Sequence, residues 1–285
     1  MPEQGPLRTL DKTIVQALIQ VVREAARIEI MPRFRHLSAS DISTKSGPDD
    51  LVTVADRAAE AYISERARSI LPQATIVGEE AVADNPELLH DIAQSEWCVI
   101  IDPIDGTSNF AHGIAVFGVI LSVTYRGQTV FGLLYDPVMD DWILACHGEG
   151  AFFCRPNQPD VALQPLISLP VELAHGYVTL WLFDKDRQAE ILGCFPKFAR
   201  TSCLRCSCHE YRQMALGHVH FTVSPTPKPW DHAAGVLILR ELGGNGTVDG
   251  HHDYQASALD AKSLVAGISS VQDDVRNILF PNPVV

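Results

Sequence analysis

The stretch IDPIDGTSNF, residues 101–110, decides how this chain of 285 residues is read. An apolar run at 98–101 leads straight into Asp102, which predicts a carboxylate at the end of a strand. Pro103 constrains the backbone, and Asp105-Gly106 predicts a tight turn that returns a second carboxylate beside the first. Two carboxylates held close repel each other, and bound cations offset that repulsion. Gly106, Thr107 and Ser108 then predict a loop opening a short helix, whose backbone N–H groups could cradle a phosphate. Asp-Pro and Asp-Gly pairs are equally at home in an ordinary acidic turn, so this segment alone leaves both readings open.

Three other segments place acids in similar positions. Upstream, IVGEE at 76–80 runs from an apolar strand through a glycine to Glu79 and Glu80. Downstream, Lys228-Pro229-Trp230-Asp231 opens a helix, where Asp231 could do no more than complement the helix dipole. Asp56, in DLVTVAD at 50–56, stands three residues after Thr53, the spacing of a capping box. Each acid has a bland explanation. Glu79, Asp102, Asp105 and Asp231, all at element ends in three separate segments, are harder to dismiss together.

Outward from these acids, residues 10–30 carry Ile14, Leu18, Val21, Val22, Ala25 and Ile28 at helical spacing, ended by Pro32. The polar stretch 38–50 predicts a mobile loop. Ala59, Tyr62, Ile63, Ala67 and Ile70 predict a second helix, closed by Pro72. Strand-like runs at 74–77, 97–101, 117–125, 129–135, 142–145 and 151–154 predict an antiparallel meander packed under the helices. The Pro- and Asn-rich stretch 155–164 is the candidate boundary. It divides an α+β half, residues 1–155 with most of the acids, from an α/β half, residues 156–285. In the second half we expect strands at 176–182 and 218–223, and helices at 185–194, 208–216 and 230–242. The last of these ends at Gly243-Gly244, as a glycine C-cap predicts.

Composition narrows the function classes. Hydrophobic residues make up 46% and charged residues 20%, ordinary for a soluble globular protein. The longest apolar runs fall short of a membrane span, and MPEQGPLRTL at the N-terminus has no apolar signal core, so the expectation is a cytoplasmic protein without membrane contact. The 22 basic and 35 acidic residues give a net charge of −13, which argues against nucleic-acid binding. An enzyme of such charge acting on an anion would need bound cations to reverse the local field. Seven cysteines without framework spacing predict reduced thiols. Cys203, Cys206 and Cys208, followed by His209, match no standard zinc spacing and are expected to be buried thiols.

DLVTVAD at 50–56, GEE at 78–80, DPIDGTSNF at 102–110, GEGAF at 148–152 and WDHAAGVLILRELGG at 230–244 stand in a familiar order and approximate spacing. Across 40–250 the chain resembles the inositol monophosphatase family. That resemblance implies a layered αβαβα sandwich with the site between its halves. It also implies magnesium-dependent, lithium-sensitive hydrolysis of a small phosphate monoester, inositol monophosphate or a related polyol or sugar phosphate. By the same resemblance, Glu79, Asp102 and the Ile104 carbonyl bind a first Mg2+. Asp102, Asp105 and Asp231 bind a second, and Glu79 with waters loosely holds a third. Gly106 and Thr107 contact the phosphate through their amides, Asp56 and Thr107 orient the attacking water, Glu79 counts among the catalytic residues, and Lys45 is the lysine of a mobile loop. Such relatives are commonly homodimers.

Elementary chemistry agrees with this division of labour. Oxygen ligands suit Mg2+, with Mn2+ as a substitute, rather than zinc. Two such ions about 3.5–4 Å apart can serve both the attacking and the leaving oxygen, so no covalent nucleophile is needed. His112 and His232, beside the motifs, are expected to pack rather than catalyse, and Ser202 and Ser207 lack a triad context.

The specificity half departs from the family. Where relatives carry Gly-Ser-Ala-Ala, this chain has Arg205-Cys206-Ser207-Cys208, and the acid expected seven positions before Asp231 is Ser224. Arg205 and Ser224 are therefore the candidate substrate-facing positions, and Arg205 suggests a substrate with a second anionic group. Alternative substrates are histidinol phosphate, fructose 1,6-bisphosphate and 3′-phosphoadenosine phosphate. A catalytically idle binding protein would be expected to lack one of the ligand carboxylates, and all are present.

Overall fold

The apolar stripe near the N-terminus folds as α1 (Lys12–Ala25), whose first turn is capped by Asp11 accepting from Thr13 N at 2.7 Å. The computed structural model describes residues 7–45, 47, 50–249 and 252–281. Beyond α1 the stripe continues through a wider π turn, Ala26–Ile30. Part of the expected loop at 38–50 is ordered: β1 (Ile42–Thr44) pairs antiparallel with β2 (Leu51–Thr53). Its polar composition hid that hairpin from a reading based on apolar runs; positions 46, 48 and 49 lie outside the described residues. α2 (Val54–Ile70) follows directly, with Thr53 and Asp56 forming the expected capping box.

The first sheet collects β3 (Ala74–Gly78), β4 (Trp97–Asp105), β5 (Gly118–Tyr125), β6 (Gln128–Asp136), β7 (Asp141–Cys146), β8 (Ala151–Cys154) and β9 (Val161–Ala162) in chain order. β3 and β4 run parallel, and every later pair is antiparallel. Short helices α3 (Glu79–Asp84), α4 (Asp91–Gln94) and α5 (Thr107–Ala111) fill the connections around β4. One boundary moves: β4 does not stop at Ile101 but continues through Pro103 to Asp105, with its register shifted against β5 between Asp102 and Asp105. Proline is tolerated in a strand at such an irregularity, because the ladder is already interrupted there.

The second sheet, in the order β11-β10-β12-β15-β13-β14, is mixed. Its strands are β10 (His175–Val178), β11 (Arg200–Ser202), β12 (Phe221–Ser224), β13 (Gly244–Val248), β14 (His252–Asp253) and β15 (Leu264–Ile268). Around them lie α6 (Lys185–Cys194), α7 (Ser207–Ala215), α8 (Pro229–Glu241) and α9 (Ser269–Leu279). The strand expected at 176–182 ends at Val178, and a 3₁₀ turn at Leu180–Leu182 takes Trp181 out of the sheet. The strand expected at 218–223 begins only at Phe221.

Three apolar clusters show why the elements stack. α1 and α2 place Leu18, Val22, Ala59 and Ile63 against one face of the first sheet, at Val99, Leu121 and Phe131. α7 and α8 place Tyr211, Met214 and Val236 between its other face, at Ile120 and Leu134, and the second sheet, at Leu264 and Ala266. α6 and α9 cover the far side of the second sheet through Ile191, Val271 and Val275. The result is the layered αβαβα sandwich. β4 and β5 are buried along their whole length because helices cover both faces.

Where β3 meets α3, Glu60 of α2 reaches across the junction. Its two carboxylate oxygens accept from Glu80 N at 2.7 Å and Ala81 N at 2.8 Å, satisfying the first turn of α3. Gly78 leaves room for this: a Cβ there would lie 2.2 Å from the Glu60 carboxyl carbon. Gly78→Ala is therefore expected to displace Glu60 and lower stability by about 1–3 kcal/mol, the usual range for overpacking. Urea denaturation checks this, and an unchanged midpoint would contradict the junction described.

Candidate active site

Asp102 and Asp105 come from the irregular end of β4, and Asp231 from the first turn of α8. Each offers an oxygen within 4.8 Å of the others. Burial raises all three carboxyls. Asp105 is pushed up to about 8 by burial and then by Asp231. Asp231 is pushed up to about 7 by burial, against the pull of nearby Lys228. Asp102 is held well above the usual range by burial, then by Glu79, Asp105, Asp231 and Asp56. Like charges gathered in a poorly solvated place are what a divalent cation would reverse, and an all-oxygen donor set fits a hard one. The residues present thus fit Mg2+ or Mn2+.

Glu79 stands on the edge of this nest, at the start of α3, near enough for its charge to raise Asp102 and Asp231. It is not one of the three that share the 4.8 Å cluster. Its Oε1 instead accepts from Lys45 Nζ at 2.9 Å, and the same ammonium reaches Glu80 Oε1. Burial works against the Lys45 charge, yet Glu79 and Glu80 hold its pKa above the ordinary lysine value. The expected loop lysine is thus anchored to the two acids that open α3.

Asp56 caps α2 and also meets Thr107. Its Oδ2 accepts from Thr53 N at 2.8 Å and Thr53 Oγ1 at 2.6 Å, capping α2. Its Oδ1 lies 3.1 Å from Thr107 Oγ1, which is also 2.9 Å from the Ile104 carbonyl. A hydroxyl carries one proton, so Thr107 donates to one of these acceptors at a time. Burial pushes Asp56 up to about 7, against the Thr53 hydrogen bonds. Asp102 Oδ1 accepts from Ile104 N at 3.1 Å, which fixes the turn between the two aspartates.

Gly106 sits at φ +85°, a left-handed conformation that favours glycine, and opens α5. Asp105 is clamped from the other half of the molecule: its Oδ2 accepts from Cys206 Sγ at 3.1 Å and from Cys208 N, at the start of α7. The cysteine run is therefore a helix start that grips an acid. Cys208 itself donates to the Tyr135 carbonyl, and all seven thiols are unbridged.

A cavity of ≈ 480 Å³ opens over the nest, walled by Thr107, Trp181, Arg205, Ser224 and Lys228. Ser224 Oγ turns to Thr226, at 3.3 Å from both its N and O. His232 is buried, its pKa lowered to about 3 by burial, and its Nδ1 lies 3.0 Å from Tyr211 Oη, so it packs as a neutral ring. His112 is tied to the Ser108 carbonyl at 2.6 Å. The sequence reading missed Trp181, Glu210 and Lys228. Lys228, just ahead of Pro229-Trp230-Asp231, was the findable one, as a cation next to a suspected ligand; a glutamate inside α7 gave no signal.

With the geometry in place, comparison with known proteins adds an independent line. The sequence profile of the Inositol monophosphatase family matches residues 6–272. Inositol-1-monophosphatase of Bacillus subtilis (strain 168) is 30% identical over 237 residues, covering 82% of this chain and 85% of its own. A fructose-1,6-bisphosphatase/inositol-1-monophosphatase of Thermotoga maritima is 28% identical over 249 residues, covering 84% and 86%. Among solved structures, an IMPase of Thermotoga maritima superposes with a TM-score of 0.76 at 24% identity, over 93% of this chain and 96% of that one.

The raised carboxyls set a pH dependence. Asp105 and Asp231 bind protons in the folded chain up to about 8 and 7, whereas unfolded carboxyls titrate near about 4. Their contribution to stability is fully present below about pH 4 and is lost as pH rises through about 7 to 8. Thermal unfolding in chelator is expected to show this loss, Asp105→Asn to reduce it, and Mg2+ to restore stability at the alkaline end. Stability of the chelated wild type that rises with pH across this window would contradict the nest.

Proposed function

On the premise that this chain belongs to the inositol monophosphatase family and is a phosphoric monoester hydrolase, we propose that it uses Mg2+ to hydrolyse inositol monophosphate or a related polyol or sugar phosphate. The observation that supports the reading most is the approach of Asp102, Asp105 and Asp231 within 4.8 Å, beside Gly106 and the Thr107–Asp56 pair. Those three aspartates, with Glu79 and the Ile104 carbonyl, would hold two or three Mg2+ ions, for which Mn2+ could substitute. When bound, such ions supply positive charge to the phosphoryl oxygens and make water a stronger acid.

The chain's own groups do the rest. Gly106 and Thr107 offer backbone N–H groups to the phosphate at the opening of α5. Thr107 Oγ1 and Asp56, joined at 3.1 Å, orient the attacking water. Arg205 and Ser224 line the part of the cavity where the leaving alcohol would sit. Water and the monoester become phosphate and the free alcohol, without a covalent enzyme intermediate.

The Thermotoga relative's name pairs two phosphatase activities, so fructose 1,6-bisphosphate belongs in the substrate panel, with histidinol phosphate and 3′-phosphoadenosine phosphate beside it. Lithium inhibition, a homodimer and a cytoplasmic location are part of the same proposal. Among the described residues no helix is long and apolar enough to cross a membrane.

Phosphate release from this panel with Mg2+ is the test. Asp105→Asn is expected to abolish turnover and Thr107→Ala to lower kcat by about 10²–10⁴-fold. Turnover that survives both chelator and Asp105→Asn would reject the metal-dependent reading. A folded wild type that releases phosphate from none of the monoesters would favour the binding protein.

A further inference from the structure

We propose that Cys206 is a positioning residue for the metal site. Its thiol, with the opening turn of α7, holds one oxygen of Asp105 so that this aspartate offers an ion only the other, and the nest thereby selects Mg2+ over Ca2+. This deepens the phosphatase reading of the same site and rests on it.

Three donors converge on the Asp105 carboxylate. Its Oδ2 accepts from Cys206 Sγ at 3.1 Å and from Cys208 N, and the Ser207 N–H also hydrogen-bonds to it. Ser207 and Cys208 are the first two residues of α7, whose N–H groups have no acceptor within the helix. The same thiol lies 3.6 Å from the Asp105 carbonyl oxygen, so the main chain and side chain of one residue meet at a single sulfur. A thiol carries one proton and serves one of these acceptors at a time.

Packing keeps the sulfur in place. Cys206 is buried, and the loop ahead of it is pinned: Leu204 N donates to Glu210 Oε1 at 2.8 Å, and Asn109 Nδ2 donates to the Leu204 carbonyl at 2.9 Å. A Cβ placed on Gly106 would lie 3.2 Å from Cys206 Cβ, and one on Gly118 would lie 2.8 Å from Cys208 Cβ. Gly106 follows Asp105, and Gly118 stands opposite Asp105 in the β4–β5 ladder, so the opening of α7 is wedged against both neighbours of the acid. An ungripped carboxylate could chelate one ion through both oxygens. Ca2+ takes such bidentate ligands readily, in a flexible shell at about 2.3–2.6 Å, whereas Mg2+ demands near-ideal octahedral geometry at about 2.0–2.1 Å. With Oδ2 engaged, Oδ1 is the oxygen that Asp105 has left for an ion. A ligand limited to one oxygen suits the smaller cation.

The test is Mn2+ binding to the chelator-treated full chain, followed by electron paramagnetic resonance, with Mg2+ and Ca2+ as competitors. Their relative potency gives a Mg2+/Ca2+ preference without any turnover. Cys206→Ala is expected to lower that preference by about 3–10-fold, less than most hydrogen bonds to a charged group because a thiol is a weak donor. Cys206→Ser should keep it, since a hydroxyl donates from the same place. Cys154→Ala, which removes a buried thiol of β8, should leave it unchanged. A merely loosened fold would weaken both ions alike, so the ratio reports the positioning. Should Cys206→Ala fail to fold, the serine variant decides alone: a preference kept supports the role, and a preference lost overturns it. Equal preference in wild type and Cys206→Ala, or a fall in Cys206→Ser as large as in Cys206→Ala, would overturn the positioning role and leave the phosphatase reading intact. A wild type that binds none of the three ions would overturn both.

Discussion

Like-charge repulsion inside a poorly solvated pocket is the constraint on which this structure turns. Asp102, Asp105 and Asp231 approach within 4.8 Å, with Glu79 beside them, and burial raises all three aspartates. A chain would relax such a cluster unless covalent geometry and packing forbade it. Here β4 is buried on both faces and cannot retreat, α8 lies in the middle layer of the sandwich, and Cys206 and Cys208 grip Asp105 from α7. The stacking of five layers brings acids from both halves of the chain to one point.

Neutralisation is shared between groups inside the chain and the ions it is built to recruit. Lys45 bridges Glu79 and Glu80, and Lys228 lowers Asp231, so part of the charge is offset from within. The remainder is of the sign and ligand type that hard divalent cations satisfy. This also resolves the net charge of −13 in a protein of a phosphatase family: bound cations, rather than a basic surface, would meet the anion.

What the sequence disclosed and what it hid have a common cause. The acids were legible because each follows an apolar run or opens a helix, and such local patterns survive in a linear reading. The layered fold was legible through the family's motifs, and the first-sheet strands through their apolar alternation. The end of β4 was misjudged because Pro103 reads as a stop, while the register shift against β5 that accommodates it is a tertiary fact. β13, with Gly244 and Gly246, and the polar hairpin of β1 and β2 lack the apolar runs by which strands are recognised. The clamps were beyond reach for a different reason. Lys45 meets Glu79 across 34 positions, and Cys206 meets Asp105 across 101, separations at which local spacing carries no information.

The most direct measurement is Mn2+ binding to chelator-treated protein, followed by the loss of the free-ion electron paramagnetic resonance signal, in wild type and in Asp102→Asn. The account predicts that wild type takes up at least one ion per chain and that Asp102→Asn, folded by circular dichroism, loses that uptake. A wild type that leaves the free-ion signal unchanged, or an Asp102→Asn protein that binds as wild type does, would contradict it.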